Sequence, residues 1–185
     1  MGDRWGPAGP PEEAYGRVTN PQRYAPLHTI ARDVLDDLQR RFDVTAHASF
    51  DLDLNRTTQA PVITLVPSDR GSSPLSVMFT AFPGLVVGFG RTQQAPIPVY
   101  GCGACDETVE ECAQSLRELV EAVTTGSFGE RIVPADDGLW SELWRANESG
   151  SHSSRIRITA DEVKVRRQKL GSDDARWTTW PAHRI

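Results

Sequence analysis

The stretch from Val44 to Leu54 carries the clearest alternation in the chain. Val44, Ala46, Ala48, Phe50, Leu52 and Leu54 take every second position, with Thr45, His47, Ser49, Asp51 and Asp53 between them. A period of two predicts a strand with one dry face and one wet face. Upstream, Leu27, Ile30, Ala31, Val34, Leu35, Leu38 and Phe42 recur at helical spacing, so one face of this segment is apolar. Pro26 suits the first turn of that helix, and Asp36–Arg40 and Asp37–Arg41 are spaced as ion pairs on its solvent side. "PVITLV" (61–66), "LSVMFT" (75–80) and "LVVGFG" (85–90) follow as strands joined by turn-forming residues. With the first strand they predict a four-strand antiparallel meander.

Residues 91–105 hold Pro96, Pro98 and several glycines, and read as a loop crossing to a second helix. Val109, Cys112, Leu116, Leu119, Val120 and Val123 form the apolar face of that helix. Thr108 with Glu111 fits a capping box, and Gly126 ends the helix. "LWSELWRA" (139–146) and "SRIRIT" (154–159) flank the turn-rich "NESGSHS" as a hairpin, although Trp140 and Trp144 also fit one helix face. Thr159 with Glu162 caps a short final helix reaching about Leu170. Strands and helices are segregated along the chain, which predicts an α+β fold. The expected architecture is an antiparallel sheet of about six strands, a four-strand meander plus the hairpin. Two main helices pack on one face, and a short helix lies near the C-terminus.

Composition narrows the setting. A chain of 185 residues is expected to form one domain with its own core, here residues 19–185 behind a Pro- and Gly-rich flexible leader, residues 1–18. The sequence offers neither a long apolar run nor an apolar signal-peptide core, so no membrane span or export is expected. Three cysteines, an odd number, fit a reducing cytoplasm with free or metal-bound thiols. The net charge is −5, although residues 153–185 carry eight Lys/Arg against four Asp/Glu. An acidic chain disfavours nucleic acid and leaves an unidentified protein or small molecule as the expected partner.

"YGRVTNPQRYAPLH", "CGACDETVEE" and the ending "RWTTWPAHR" resemble an uncharacterised family of actinobacterial proteins. The family pattern Cys-Gly-Cys-Asp-Ala-Cys-Asp-Glu stands here as Tyr100, Gly101, Cys102, Gly103, Ala104, Cys105, Asp106 and Glu107. Tyr100 replaces the first cysteine, which weakens any three-thiolate metal site. The resemblance implies a bacterial cytoplasmic protein and no mechanism.

Three sets of residues could carry chemistry. Cys102 and Cys105 have the Cys-x-x-Cys spacing of two zinc thiolates or a redox pair, while Cys112 falls on the apolar helix stripe. Nearness to a helix start would favour a thiolate, whereas Asp106 and Glu107 oppose it. The plainer reading of this stretch is a tight loop leading into a capped helix. His47, Asp51 and Asp53 share the wet face of the long strand, where carboxylates two residues apart are roughly 6.5–7 Å apart and could share a divalent ion. Trp140, Trp144, Trp177 and Trp180 could line a groove or seal the C-terminal segment onto the core, and the shared ending favours sealing. No phosphate-binding glycine loop, nucleophile elbow or His-Glu-x-x-His is present. The expectation is therefore a non-catalytic binding or interaction module. Its rivals are a thiol- or zinc-dependent protein using Cys102 and Cys105, and a divalent-metal enzyme using Asp51 and Asp53.

Overall fold

Helix α1 (Pro26–Arg41) begins at the expected proline and buries Leu27, Ala31, Leu35 and Leu38. This geometry comes from a computed structural model that describes residues 6–7, 9–53, 57–136, 138–147, 150–164 and 173–183. Leu54, at the end of the alternating stretch, and positions 165–170 of the final helix lie outside the described residues. On the solvent side of α1, Asp37 accepts from Arg41 at 3.1 Å and also from Arg40 at 3.4 Å. Arg40 thus pairs three residues back, with Asp37.

Five strands follow, β1 (Val44–Leu52), β2 (Gln59–Pro67), β3 (Leu75–Phe79), β4 (Leu85–Phe89) and β5 (Gln93–Ile97). They form one antiparallel meander in chain order, so β1 and β5 are the two edges. The fifth strand lies where a loop was expected. Pro96 masks it in the sequence, and β5 is an edge strand, where proline is readily accommodated.

Helix α2 (Val109–Thr125) carries the Thr108–Glu111 capping box with both reciprocal bonds made, and ends at Gly126 with φ 68°. Only glycine suits that end. A Cβ there would sit 2.6 Å from the Trp177 carbonyl oxygen, and the left-handed φ is itself unfavourable for a side chain. Helices α1 and α2 lie together on one face of the first sheet, against Leu65, Leu75, Val77, Leu85, Val87 and Phe89.

The expected hairpin is present, and both of its arms are strands. It belongs to a second antiparallel sheet made of β6 (Phe128–Ala135), β7 (Gly138–Asn147), β8 (Gly150–Ile158) and β9 (Asp174–Arg176), in the order β8-β7-β6-β9. A short helix over 160–164, α3, follows β8. Its Thr159–Glu162 cap is formed as expected. Val163 of α3 packs with Ile132 and Ile158 in a small second core. Glu142 on β7 is held below the usual carboxylate range, chiefly by the hydrogen bond from Arg131. The α+β class is as expected, with nine strands in two sheets among the described residues rather than about six in one. No helix among the described residues is long and apolar enough to cross a membrane.

One expectation fails in an informative way. The apolar row of β1 is not dry: only Val44 is half-buried, and Phe50 is 71% and Leu52 46% exposed. The row continues the face that carries the core, because Ala48 pairs with Ile63 and Ala46 with Leu65 of β2. The two helices cover the middle of the sheet and leave this edge in solvent.

Candidate functional site

The edge of β1 has a definite backbone polarity. Ser68 donates its N–H to the Asp43 carbonyl at 3.0 Å, and Asp53 donates its N–H to the Thr58 carbonyl at 2.9 Å. Odd-numbered positions of the strand therefore bond to β2. Antiparallel alternation then turns the N–H and C=O of Ala46, Ala48 and Phe50 toward the open side. The proline placement agrees, since Pro67 faces Val44 and Pro61 faces Phe50, even-numbered positions at which β2 donates no N–H. The outward N–H of Leu52 is taken by the Asp51 carboxylate at 2.7 Å. The segment VTAHASFDL contains no Lys and no Pro, two of the devices that ordinarily protect a sheet edge.

His47, Asp51 and Asp53 do not converge into a cluster. The Asp53 carboxylate accepts the N–H of Thr57 at 2.9 Å and of Thr58 at 3.4 Å, closing the turn after the strand. Such side-chain capping of a turn is a common use of aspartate. Asp51 serves the neighbouring Leu52, and His47 lies opposite Thr64.

Cys102 and Cys105 do come together, with their Sγ atoms 3.3 Å apart. They sit in a loop that ends in Asp106 at φ 45°, not on the first turn of α2. Residues of the N-terminal segment run beside this loop: Gly103 donates to the Arg17 carbonyl at 2.9 Å and Ala104 to the Ala14 carbonyl at 3.1 Å. The Cys102 thiol is pushed down, first by the backbone N–H of Cys105, with smaller help from Gly16 and Ala104. Cys105 is pushed up, first by its side-chain hydrogen bond with Cys102 and then by burial. Backbone donors thus do the work that was expected of the helix terminus.

The two acidic neighbours have structural roles. Glu107 accepts N–H bonds from Val99, Tyr100 and Gly101 at 3.0–3.1 Å, and Asp106 pairs with Arg23 at 3.1 Å. Cys112 lies in the core, as its place on the stripe implied, and burial pushes its thiol up to about 11. Among the described residues no group of three or more His, Cys, Asp or Glu stands together, so the pair offers two ligands of the four that zinc requires. Alkylation at neutral pH is expected to modify the Cys102–Cys105 pair first and Cys112 only on unfolding. Mass mapping after a timed iodoacetamide pulse checks this, and early labelling of Cys112 would contradict it.

Trp177 and Trp180 are both in the main core and seal the C-terminal segment onto it, as the ending of the sequence suggested. Trp140 and Trp144 lie on β7 outside the main core, and Trp144 crosses the backbone of Gly129 on β6. A groove of about 740 Å³ runs between α1 and α2, with Ile30, Val34, Leu38 and Val120 along it and Asp33 and Arg117 among its polar residues. Sequence reading missed Glu130 altogether. It is a strand carboxylate only 1% exposed that binds the turn between β4 and β5. Its one sequence signal is its place between Phe128 and Ile132, on the buried face of β6.

No curated protein and no solved structure matches the chain. Residues 1–184 match the profile of DUF6226, a family of unknown function, and the chain belongs to that family.

Proposed function

We propose that this chain is a non-catalytic interaction module and that the outer edge of β1 is the surface on which a partner strand adds. The observation that carries this reading is the uncovered apolar row Ala46, Ala48, Phe50 and Leu52, beside outward-facing backbone donors and acceptors. Strand addition satisfies both at once: the backbone supplies affinity and alternate side chains supply selectivity. A synthetic peptide of residues 43–53 is a direct probe. At saturation it is expected to slow amide exchange at Ala46, Ala48 and Phe50 by roughly tenfold or more, as new ladder bonds protect those N–H groups. Ala48→Pro removes an outward donor without touching the β2 ladder, so it should keep the fold and lose the protection. Unchanged exchange at about 1 mM peptide, a weak limit on the affinity scale, would sink the reading.

A thiol-dependent role is the second reading, favoured by the 3.3 Å approach of Cys102 and Cys105. Native mass spectrometry without added chelator separates its two forms. A zinc adduct lost in Cys102→Ser/Cys105→Ser supports a metal role, and a bare mass with a readily formed disulfide supports redox. The divalent-ion reading of Asp51 and Asp53 ranks below both, because Asp53 would have to release Thr57 and Thr58. It predicts a thermal shift with a divalent ion that Asp51→Ala/Asp53→Ala abolishes.

A further inference from the structure

We infer that the strand added to β1 is β1 of a second copy of this chain, paired antiparallel about a two-fold axis through Ser49. This rests on the edge-pairing reading above and names its partner. Three features of the strand select this register.

The first is charge. With Ser49 opposite the partner's Ser49, His47 faces the partner's Asp51 and Asp51 faces the partner's His47. Both contacts fall at positions that bond to β2 rather than across the new seam, where antiparallel side chains approach most closely. Sliding the copies by two residues one way leaves His47 opposite serine and Asp51 opposite threonine. Sliding them the other way sets His47 against Asp53, whose carboxylate already holds the turn through Thr57 and Thr58.

The second is shape. On the apolar face, Phe50 stands beside the partner's Ala48 and Leu52 beside the partner's Ala46, large against small along the whole seam. An axis perpendicular to the sheet keeps both apolar rows on one side, so the rows exposed in the single chain cover each other. This surface is self-complementary, as a two-fold interface requires.

The third is the backbone. Ala48 and Phe50 turn their N–H and C=O groups outward, and in this register each exchanges bonds with the other across the axis. The Leu52 N–H is released from the Asp51 carboxylate to join the ladder, which frees that carboxylate to meet the partner's His47. The five-stranded sheets of two copies then form one continuous sheet of twice that number.

An interface of one edge strand per copy belongs to the small, transient class, below about 1,200 Å². Sedimentation equilibrium from about 1 to 300 µM brackets the dissociation constants such interfaces show. The full chain is expected to pass from monomer to dimer in that range. His47→Asp, which opposes like charges twice per dimer, should weaken association roughly tenfold. The exchange His47→Asp/Asp51→His restores the His–Asp pairing across the axis and should recover most of the loss, which a merely structural effect would not do. Ala48→Pro should be monomeric throughout, with a far-ultraviolet spectrum and melting temperature like those of the unmodified chain.

A monomer at every concentration overturns the inference. So does a dimer that ignores Ala48→Pro, or one in which the charge exchange does not rescue His47→Asp. If the chain stays monomeric while the 43–53 peptide still protects β1, the edge remains a docking strand for a different extended partner. If neither a copy nor the peptide adds, the edge-pairing reading falls as well.

Discussion

Trp180→Ala is expected to destabilise the protein by about 3–5 kcal/mol, the range for removing a fully buried large aromatic. Trp180 is 2% exposed and closes the core from the C-terminal side. Its ring meets Phe42 edge-on at 5.6 Å, and its indole N–H donates to the Ser73 carbonyl at 2.8 Å. Its backbone N–H donates to the Thr124 carbonyl at the end of α2, and the Asp43 N–H donates to Pro181 next to it. The truncation therefore removes packing, leaves a buried carbonyl without its donor, and loosens a segment that ties α1, α2 and the Ser72–Ser73 loop together. For a domain of this size the loss corresponds to a fall in melting temperature of about 10 °C or somewhat more. Trp180→Phe separates the contributions: it keeps much of the apolar volume and loses the donor, so it should cost about 1–2 kcal/mol. Urea unfolding of the three proteins measures both. A Trp180→Ala loss below about 1 kcal/mol would mean that the tail does not seal the core, since surface positions rarely cost more.

The tail could be read from the sequence because its signal is chemical: two tryptophans near the end of an otherwise polar segment have few stable places except a core. The helices were legible for a similar reason. Leu27, Ala31, Leu35 and Leu38, and Leu116, Leu119, Val120 and Val123, repeat at the helical period and face one interior. Thr108, Glu111 and Gly126 are local devices whose geometry is set by near neighbours in the chain. Capping residues act over three or four positions, so no tertiary knowledge is needed to place them.

What the sequence could not show depends on distant neighbours. Gln93–Ile97 has too few apolar residues to announce a strand, and it exists because β4 offers a ladder for it. β9 is three residues long and is defined only by its pairing with β6. The thiol pair was visible as a spacing and its main backbone donor, Cys105, is local, but a further donor comes from Gly16, far upstream. The strand β1 is the reverse case. Its alternation was the strongest signal in the chain and its secondary structure is as expected, yet the burial that alternation implies is absent within one copy. Periodicity reports which face a chain is built to cover and is silent on which molecule covers it. That is the physical link between the failed expectation and the dimer inferred above.

Glu130→Gln is the second large effect, expected at about 2–4 kcal/mol although it removes no volume. The Glu130 carboxylate is buried on β6 and gathers donors from the turn between β4 and β5. One oxygen accepts the Arg91 N–H at 2.9 Å; the other accepts the Thr92 N–H and the Gln93 side-chain amide, each at 3.2 Å, and the Thr92 hydroxyl. The same turn is held from its other side by Ser73, whose hydroxyl accepts the Gly90 N–H at 2.7 Å, and the Ser73 carbonyl in turn holds Trp180. One polar chain thus connects the second sheet, the first sheet and the tail. A glutamine has one accepting oxygen and one donating nitrogen, so donors that converge on two oxygens would meet an amide N–H at one of them. Breaking a buried, fully bonded carboxylate site typically costs several kcal/mol, because the donors left behind remain out of water. Gly90→Ala attacks the same clasp by sterics: its Cβ would fall 2.1 Å from a Glu130 oxygen, at a φ of 61°. The two substitutions act on one contact, so the double variant should lose clearly less than the sum of the singles. Urea titrations of the singles and the double close that cycle. Additive losses, or a Glu130→Gln cost under about 0.5 kcal/mol, would show that the turn is held by its own backbone and that the carboxylate is a passenger.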